Sequence, residues 1–297
     1  MADTIFIGLS LASILLLIAL GLTITYGAMG VINMAHGELV MIGAYTAVLA
    51  GIYLDLNMLF AIPLAFVVAA ALGLLIERLV IRHLYGRILD TLLATWGIAI
   101  LLQQAIRLEF GLTYFDIHLE GLGPGLQNLS IPPFLNNAFE IGSFTVQPYR
   151  TFIILVTLVL TALTWFLLYR TSIGIQVRAI MRNPAMAAAC GINVKRVSAM
   201  TFAYGSGLAG VAGVMMAGFK TVAPDMGASL VVDGFLVVVV GGVGSLFGTI
   251  AAAGFLGETN GVIATFTNDI FARAVVFGLV ILIIMWKPRG LFSFKDR

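Results

Sequence analysis

Seven apolar runs, each about as long as a membrane-spanning helix, constrain this chain more than any other feature of its sequence. Of its 297 residues, 61% are hydrophobic and only 10% are charged, and the mean hydropathy is +1.08. A soluble domain has about 25% charged residues and cannot bury so much apolar surface. We therefore predict an all-α integral membrane protein, a multi-span helical bundle of about eight spans with broken or re-entrant helices. The seven runs lie near 5–28, 39–53, 59–76, 89–108, 151–169, 197–219 and 272–286.

The sequence lacks the patterns of several classes of enzyme and metalloprotein. A single cysteine, Cys190, excludes a disulfide framework, and the three histidines have no zinc-site spacing, so we predict no metal site. The G-x-x-x-x-G-K-[ST], H-E-x-x-H and G-x-S-x-G motifs are all missing. We therefore expect no catalytic residues and no cofactor bound by this chain; ATP and Mg²⁺ would be used by partner subunits. Asp3, with no Lys or Arg before the first run, argues for a retained first span.

The distribution of basic residues predicts the orientation of the spans. Twelve of the sixteen Lys and Arg residues fall in 78–87, in 170–196 and in the tail from 287 onward, so these segments should be cytoplasmic. Segment 109–149 carries four acidic residues and no Lys or Arg, which predicts an extracytoplasmic loop. The chain is then one transmembrane domain, 1–297, in a bacterial inner membrane, with its N-terminus outside and its C-terminus in the cytoplasm.

Counting the crossings reveals a second kind of segment. The run 230–256 must leave and return to the same side, which predicts two short helices hinged at Gly241, Gly242 and Gly244. Non-helical backbone inside a membrane is tolerated only where protein or water covers it. Together with Gly30–Gly37, the sequence thus has two interrupted segments, one in each half, and paired broken helices indicate a transport pathway.

The first interruption, "GVINMAHGEL", places Asn33, His36 and Glu38 between and beside Gly30 and Gly37. As a cluster these side chains favour an aqueous path or gate. The alternative is a helix start, in which Asn33 caps free N–H groups and Glu38 lies at the positive helix end.

Two further features carry polar side chains in apolar surroundings. In the fourth run, Trp96 and Gln103 share one helical face, which suits either a narrow polar conduit or hydrogen bonding between helices. Thr95 and Gln104 complete the pathway candidates of this run. Asp233 is either a gate element or, as we favour, an N-cap.

The segment 170–196 is basic and amphipathic, and an Asn-Pro pair and a glycine mark the ends of a short stretch within it. A short helix over 185–190 would suit docking into a groove of a soluble partner, although lipid could hold the same helix at the membrane surface. The candidate coupling residues are Arg178, Arg182, Asn183, Pro184, Ala185, Met186, Ala187, Ala188 and Gly191.

Three motifs resemble the permease family of branched-chain amino acid ABC importers: "GLTITYGAMGVINMAHGELVMIGAY", "RNPAMAAACGINVKRV" and "DGFLVVVVGGVGSLFGT". Within that family, "GVINMAHGEL", "LLATWGIAILLQQ" and "KPRGLF" look most like the first permease subunit of urea importers. The resemblance implies a fold related to the vitamin B12 importer class, a second permease, two cytoplasmic ATPases and a periplasmic solute-binding protein. It also implies that 182–197 couples to an ATPase. Ala185 stands where such loops often carry Glu, which leaves apolar packing of Met186 and its neighbouring alanines.

The buried polar set is mostly uncharged, which favours urea or a short amide over a zwitterionic amino acid, because an unpaired charge inside a membrane costs roughly 2.5–3.5 kcal/mol. Three alternatives stay open. A branched-chain amino acid permease is the first, and a self-sufficient urea channel or secondary transporter is the second. An intramembrane enzyme using His36 and Glu38 is the most remote.

Overall fold

The structure of the protein, a computed structural model, describes residues 2–141, 144–288 and 290–292. The predicted basic tail therefore lies partly outside the described residues, at Arg289, Lys295 and Arg297. Short 3₁₀ segments cover Ile81–Leu84 and Glu109–Phe115, and a two-stranded antiparallel hairpin consists of β1 (Phe139–Ile141) and β2 (Phe144–Val146). The helices are α1 (Ala2–Met29), α2 (His36–Leu54), α3 (Met58–Leu79), α4 (Ile88–Arg107), α5 (Pro133–Asn136), α6 (Pro148–Arg170), α7 (Ser172–Arg182), α8 (Pro184–Ala189), α9 (Val194–Ala217), α10 (Met226–Gly241), α11 (Leu246–Phe266) and α12 (Asp269–Trp286).

Eight of the helices in the described part of the chain are long and apolar enough to cross a membrane. They are α1, α2, α3, α4, α6, α9, α11 and α12, and the apolar α10 is shorter, with 16 residues. This confirms the predicted multi-span, all-helical bundle.

Three helices form the centre of the bundle. The apolar windows of α1, α2 and α9 are 61%, 67% and 83% buried, whereas those of α4, α6 and α12 are each 17% buried. Small residues allow the central backbones to touch: a Cβ on Gly213 would lie 1.9 Å from the carbonyl oxygen of Val40. Such contacts are the usual way in which membrane helices pack closely. The outer helices therefore present most of their surface away from this chain.

The predicted break after the first span is present. Gly30 follows α1 with φ +64, and the chain then turns back along α1 without forming a helix. His36, the first residue of α2, has its Nε2 atom 3.1 Å from the carbonyl oxygen of Ile18. Ile18 lies eleven residues before Met29, or about 16 Å along the helix at 1.5 Å per residue. Thus α2 begins against the middle of α1. The non-helical residues 31–35 between them are buried or half-buried, whereas Gly30 is exposed.

The second predicted break is also present, but the helix that follows it is longer than predicted. A turn at 242–245, with Gly242 and Gly244 at positive φ, joins α10 to α11, so the chain does leave and return. However, α11 has 21 residues, so the prediction of two short helices is wrong for the second helix. The turn lies beside the tail, because the Leu291 amide donates to the carbonyl of Val240 at 2.8 Å.

The N-cap interpretation of Asp233 is also wrong. Helix α10 begins seven residues earlier, at Met226, so Asp233 lies in its middle. There its carboxylate accepts a hydrogen bond from Arg273 of α12 at 3.1 Å. The pair neutralises both charges within the apolar bundle, which is the usual arrangement for ionisable groups in a membrane.

The predicted cytoplasmic segments gather at one end of the bundle. Met181 of α7 lies against Gly27 and Gly244, and so joins the end of α1 to the α10–α11 turn. In the segment after α3, Tyr85 donates to the fully buried carboxylate of Glu77 at 2.6 Å. Burial, followed by this hydrogen bond, raises the pKa of the Tyr85 hydroxyl. Ser198 also acts on the pKa of this hydroxyl, which places this segment beside the start of α9.

At the opposite end, the segment between α4 and α6 is tied down by a buried carboxylate. Glu109 accepts hydrogen bonds from the Leu119 amide and from His118 Nδ1, the latter at 3.2 Å. The Leu119 amide is the main cause that lowers the pKa of Glu109, and His118 adds to it. An isolated bridge between Gln127 and Val222 joins this segment to the connection between α9 and α10. The predicted extracytoplasmic loop is therefore ordered against its neighbours.

Candidate pathway at two helix starts

The first turns of α2 and α10 touch each other. A Cβ on Gly37 would lie 2.1 Å from the carbonyl oxygen of Gly227, and a Cβ on Gly227 would lie 2.6 Å from the carbonyl oxygen of Gly37. Each glycine is the second residue of its helix. We call this contact, with the segment Gly30–Glu38 that leads into it, the helix-start junction. Two positive helix ends therefore meet inside the bundle.

Three predicted pathway side chains lie at the junction and are almost completely buried. Asn33 and Glu38 are 3% exposed and His36 is fully buried. Each has one polar atom with no hydrogen-bond partner among the described residues: Asn33 Nδ2, His36 Nδ1 and Glu38 Oε2. The Oε2 atom of Glu38 lies 2.8 Å from the position that a Cβ on Gly227 would take. Because buried polar groups are normally paired, a polar ligand or a water molecule would satisfy these three atoms.

Part of the helix-start interpretation also holds. Asn33 Oδ1 accepts a hydrogen bond from the Ala35 amide at 3.1 Å, but Ala35 is the N-cap of α2 and makes no side-chain cap. Glu38 lies in the first turn, as that interpretation expects. Local capping thus accounts for one oxygen of Asn33 and leaves the three unpartnered atoms unexplained.

Thr95 holds the non-helical segment against α4. The Met34 amide donates to Thr95 Oγ1 at 3.1 Å, and this oxygen lies 3.3 Å from the carbonyl oxygen of Ile32. The hydroxyl is also 2.8 Å from the carbonyl oxygen of Thr91 within α4. The structure therefore brings Thr95 together with the junction, where it supports the broken backbone.

The remaining candidates of α4 face away from the junction. Trp96 is 55% exposed, Gln104 is exposed and Gln103 is half-buried, whereas Thr95 and Ala99 face the bundle. The predicted shared face of Trp96 and Gln103 exists, but it points out of this chain. Polar side chains on an outer membrane face need a partner, which lipid tails do not supply.

Three residues near the junction were not among the predicted site. The hydroxyl of Tyr45 is buried without a hydrogen-bond partner among the described residues, two helical turns from Glu38 on the same face of α2. The charges of Asp225 and Arg107 act on both Glu38 and Tyr45. The seven-residue spacing of Glu38 and Tyr45 is the sequence signal that identifies this face.

The predicted gate glycines near 241–244 lie at the other end of α10 from the junction. Gly241 packs against α11, where its Cβ would be 2.5 Å from the carbonyl oxygen of Gly248. The two interruptions therefore approach each other only at Gly30, which lines the same cavity as Gly244. The first interruption meets the start of α10, and the glycine turn meets the end of α1 and α7.

The predicted coupling helix is present as α8, one residue earlier than predicted. Asn183 caps it by accepting a hydrogen bond from the Met186 amide at 3.0 Å, and Gly191 ends the turn with φ +83. Met186 is 62% exposed, and Pro184, Ala185 and Ala188 are also exposed, whereas Ala187 packs inward. Among the described residues, no group of three His, Cys, Asp or Glu side chains is placed to hold a metal ion.

These features define a class: a polytopic, all-helical membrane protein with buried polar groups at a break between helices. Comparison of the sequence with known proteins identifies the family. Residues 4–285 match the family of the branched-chain amino acid transport system permease component, and the chain belongs to it. It is thus a permease component of an ABC transport system and a multi-pass protein of the inner membrane.

The relatives are similar along almost their whole length. The high-affinity branched-chain amino acid transport system permease protein BraD of Pseudomonas aeruginosa is 32% identical, with 96% of this chain and 94% of the relative covered. The permease protein LivH of the corresponding Escherichia coli K12 system is 31% identical, with 97% and 94% covered. A probable LivH permease of Methanocaldococcus jannaschii is 28% identical, with 92% and 85% covered. No solved structure matches the chain.

Proposed function

We propose that this chain, with a second homologous permease, forms the path for urea or a short amide in an ATP-driven importer. A periplasmic binding protein would deliver the solute, and two cytoplasmic ATPases would hydrolyse ATP with Mg²⁺. The helix-start junction is the observation that carries the proposal. Its unpartnered atoms lie on an interruption of the backbone that is buried between helices, where a passing solute would have to be bound.

The chemistry of these atoms suits a small amide. Asn33 Nδ2 is a donor and Glu38 Oε2 an acceptor, while His36 Nδ1 is an acceptor when its proton is on Nε2, the tautomer in which Nε2 donates to Ile18. Urea offers one carbonyl oxygen and two NH₂ groups, which complement this set. Because urea is neutral, its passage avoids the cost of taking an unpaired charge into the membrane.

The outer face of α4 would complete the path at the interface between the two permease subunits. Trp96, Gln103 and Gln104 point out of this chain, so a second permease would form the opposite wall. This arrangement gives the polar groups of α4 a partner other than lipid.

Coupling would run through the cytoplasmic end. The exposed face of α8, around Met186, would dock on an ATPase, with the basic residues Arg178 and Arg182 of α7 beside it. Since Met181 lies against both Gly27 and Gly244, a displacement of α7 would reach α1 and the α10–α11 turn together. The proposed hinge elements are Gly30 and Gly37 at the first break, Asp233 on α10, and Gly241, Gly242 and Gly244 at the turn.

Branched-chain amino acids are the second candidate solutes. The relatives BraD and LivH are permease proteins of branched-chain amino acid transport systems, which favours these solutes. The charges of Arg107 and Asp225 near Glu38 would also suit a zwitterion at the outer end of the path. A self-sufficient channel is the third candidate and needs no ATPase.

Uptake by the complete complex distinguishes these candidates. We expect urea, delivered with its binding protein, to stimulate ATP hydrolysis and to accumulate, and leucine to do neither. Asn33→Ala and His36→Ala should each lower uptake about tenfold, the loss expected for one buried hydrogen bond to a solute. Gly51→Ala, on α2 like His36 and in open space, is the matched control and should leave uptake unchanged.

Three results would change the assignment. Stimulation by leucine alone would replace urea by an amino acid. Uptake that persists without the ATPase subunits would favour a channel. Wild-type uptake in both the Asn33 and His36 variants would remove the junction from the pathway.

A further inference from the structure

A cavity of about 830 Å³ opens at the end of the bundle that carries α7. The C-terminal ends of α1 and α6, the middle and end of α7 and the α10–α11 turn line it, and the described lining residues include Tyr26, Gly30, Tyr169, Arg178, Arg182 and Gly244. A water molecule occupies about 30 Å³, so this space is far larger than a packing defect. It lies at the other end of α10 from the contact between Gly37 and Gly227. Gly30 lines it, but none of the unpartnered side chains of the helix-start junction does.

The cavity is positively charged. Arg178 and Arg182 both line it, and no Asp or Glu is among its described lining residues. The guanidinium of Arg178 lies 5.1 Å from the centre of the Tyr169 ring, and its Nη1 atom is buried without a hydrogen-bond partner among the described residues. A guanidinium stays charged in proteins, and an unpaired buried charge is costly. Since no described lining residue supplies a negative partner for this nitrogen, an anion that enters the cavity can supply it.

The rest of the lining suits the attached apolar part of such a partner. Ile24, Leu168 and Ile175 contribute apolar walls, and Ile175 is also 60% exposed on the outer surface of α7. Basic pockets between membrane helices on the cytoplasmic side are places where anionic headgroups bind. A planar guanidinium matches a phosphate by two parallel hydrogen bonds.

We propose that this cavity binds a phosphate-bearing anion through the Arg178 guanidinium, with Arg182 as the second cation. The apolar walls favour a phospholipid headgroup, and free phosphate is the other source of the same chemistry. The bound anion would hold α7 to α1 and to the α10–α11 turn. The inference is independent of which solute the permease carries.

Binding is measured on the full-length chain, purified with its partner subunits in detergent, by native mass spectrometry. The probes are phosphatidylglycerol, a diacylglycerol with the same acyl chains, and inorganic phosphate. We expect phosphatidylglycerol to bind wild type and Arg178→Gln to weaken it about tenfold, as for the loss of one charge-assisted pair. Arg196→Gln, an exposed arginine outside the cavity, is the matched control and should bind like wild type.

A second variant covers the case in which Arg178→Gln misfolds. Val243→Trp fills the cavity from the α10–α11 turn while both arginines are retained, and it should also weaken phosphatidylglycerol binding. Phosphate that binds wild type but not these variants would support the anion site with a soluble source. Equal binding of phosphatidylglycerol and diacylglycerol, or equal phosphatidylglycerol binding by wild type and both variants, would overturn the proposal.

Discussion

At the scale of single residues, two glycines and three polar side chains define the junction. Gly37 and Gly227 let the backbones of α2 and α10 touch, and this contact brings Glu38 beside the start of α10. Asn33 and His36 are held by backbone partners through one atom each, which leaves their other polar atoms oriented and unpaired. Close backbone contact and preorganised polar groups therefore depend on each other.

The first prediction concerns Gly37→Ala. Its Cβ would lie 2.1 Å from the carbonyl oxygen of Gly227, so α2 and α10 must move apart. We expect a loss of about 1–3 kcal/mol of stability, the usual cost of overpacking, measured by thermal unfolding in detergent. Gly51→Ala, which meets nothing within 4 Å, should be neutral or stabilise by up to about 1 kcal/mol through helix propensity. Equal unfolding temperatures for Gly37→Ala and Gly51→Ala would contradict the contact.

At the scale of elements, local sequence signals were sufficient to predict some of the elements. The Asn183 cap and the glycine at 191 predict α8 because both act within a few residues. Likewise, the polar residues and glycines of Gly30–Gly37 predict a break, since each would be unfavourable inside an uninterrupted apolar helix.

Other elements depend on contacts that a local pattern does not contain. Asp233 resembles an N-cap in sequence, but its partner is Arg273, forty residues away on α12. The α4 periodicity predicts that Trp96 and Gln103 share a face, yet it does not distinguish the bundle interior from a subunit interface, because both accept polar residues. The contact between α2 and the start of α10 is equally non-local, so no local pattern in the sequence identified Gly227 or Asp225 as part of the site.

The segment between α4 and α6 gives a pH-dependent prediction at this scale. The Leu119 amide and His118 lower the pKa of Glu109 below its ordinary value of 4.5. A lowered folded-state pKa stabilises the fold above pH 4.5, and this contribution is lost as the pH falls through the lowered value. We expect the hydrogen-exchange protection of the Leu119 amide, corrected for intrinsic rates, to fall in that window.

The Glu109→Gln variant should already have the lower protection at neutral pH and lose this pH dependence. The exposed Glu120→Gln is the control and should follow wild type. A Leu119 protection curve for Glu109→Gln that matches wild type would show that this carboxylate does not anchor the segment.

At the scale of the whole molecule, the distribution of basic residues and the contacts between segments distinguish the same two ends of the bundle. The 3₁₀ segment after α3, the α7–α8 segment and the described part of the tail lie at one end, and the segment tied down by Glu109 lies at the other. Basic loops remain in the cytoplasm, so we predict an outside N-terminus and a cytoplasmic C-terminus.

Orientation is testable with the single native cysteine. Cys190 is exposed directly after α8, so a membrane-impermeant maleimide should label it in inverted vesicles stripped of ATPase and not in intact spheroplasts. Asn128→Cys in a Cys190→Ser background, on the exposed outer segment, should show the reverse. Labelling of Cys190 from outside would invert the proposed topology.

The most direct test of the proposed path is to measure whether the helix-start junction contains water and solute during transport. Asn33→Cys, in a Cys190→Ser background, is treated with a small charged thiol reagent while the complete complex turns over ATP. Ala209→Cys, fully buried in the centre of α9, is the control for a dry position. We predict that position 33 reacts during turnover, that excess transported solute slows the reaction, and that position 209 does not react. A cysteine at position 33 that is as unreactive as the one at 209, in a complex that still transports, would contradict the proposed path.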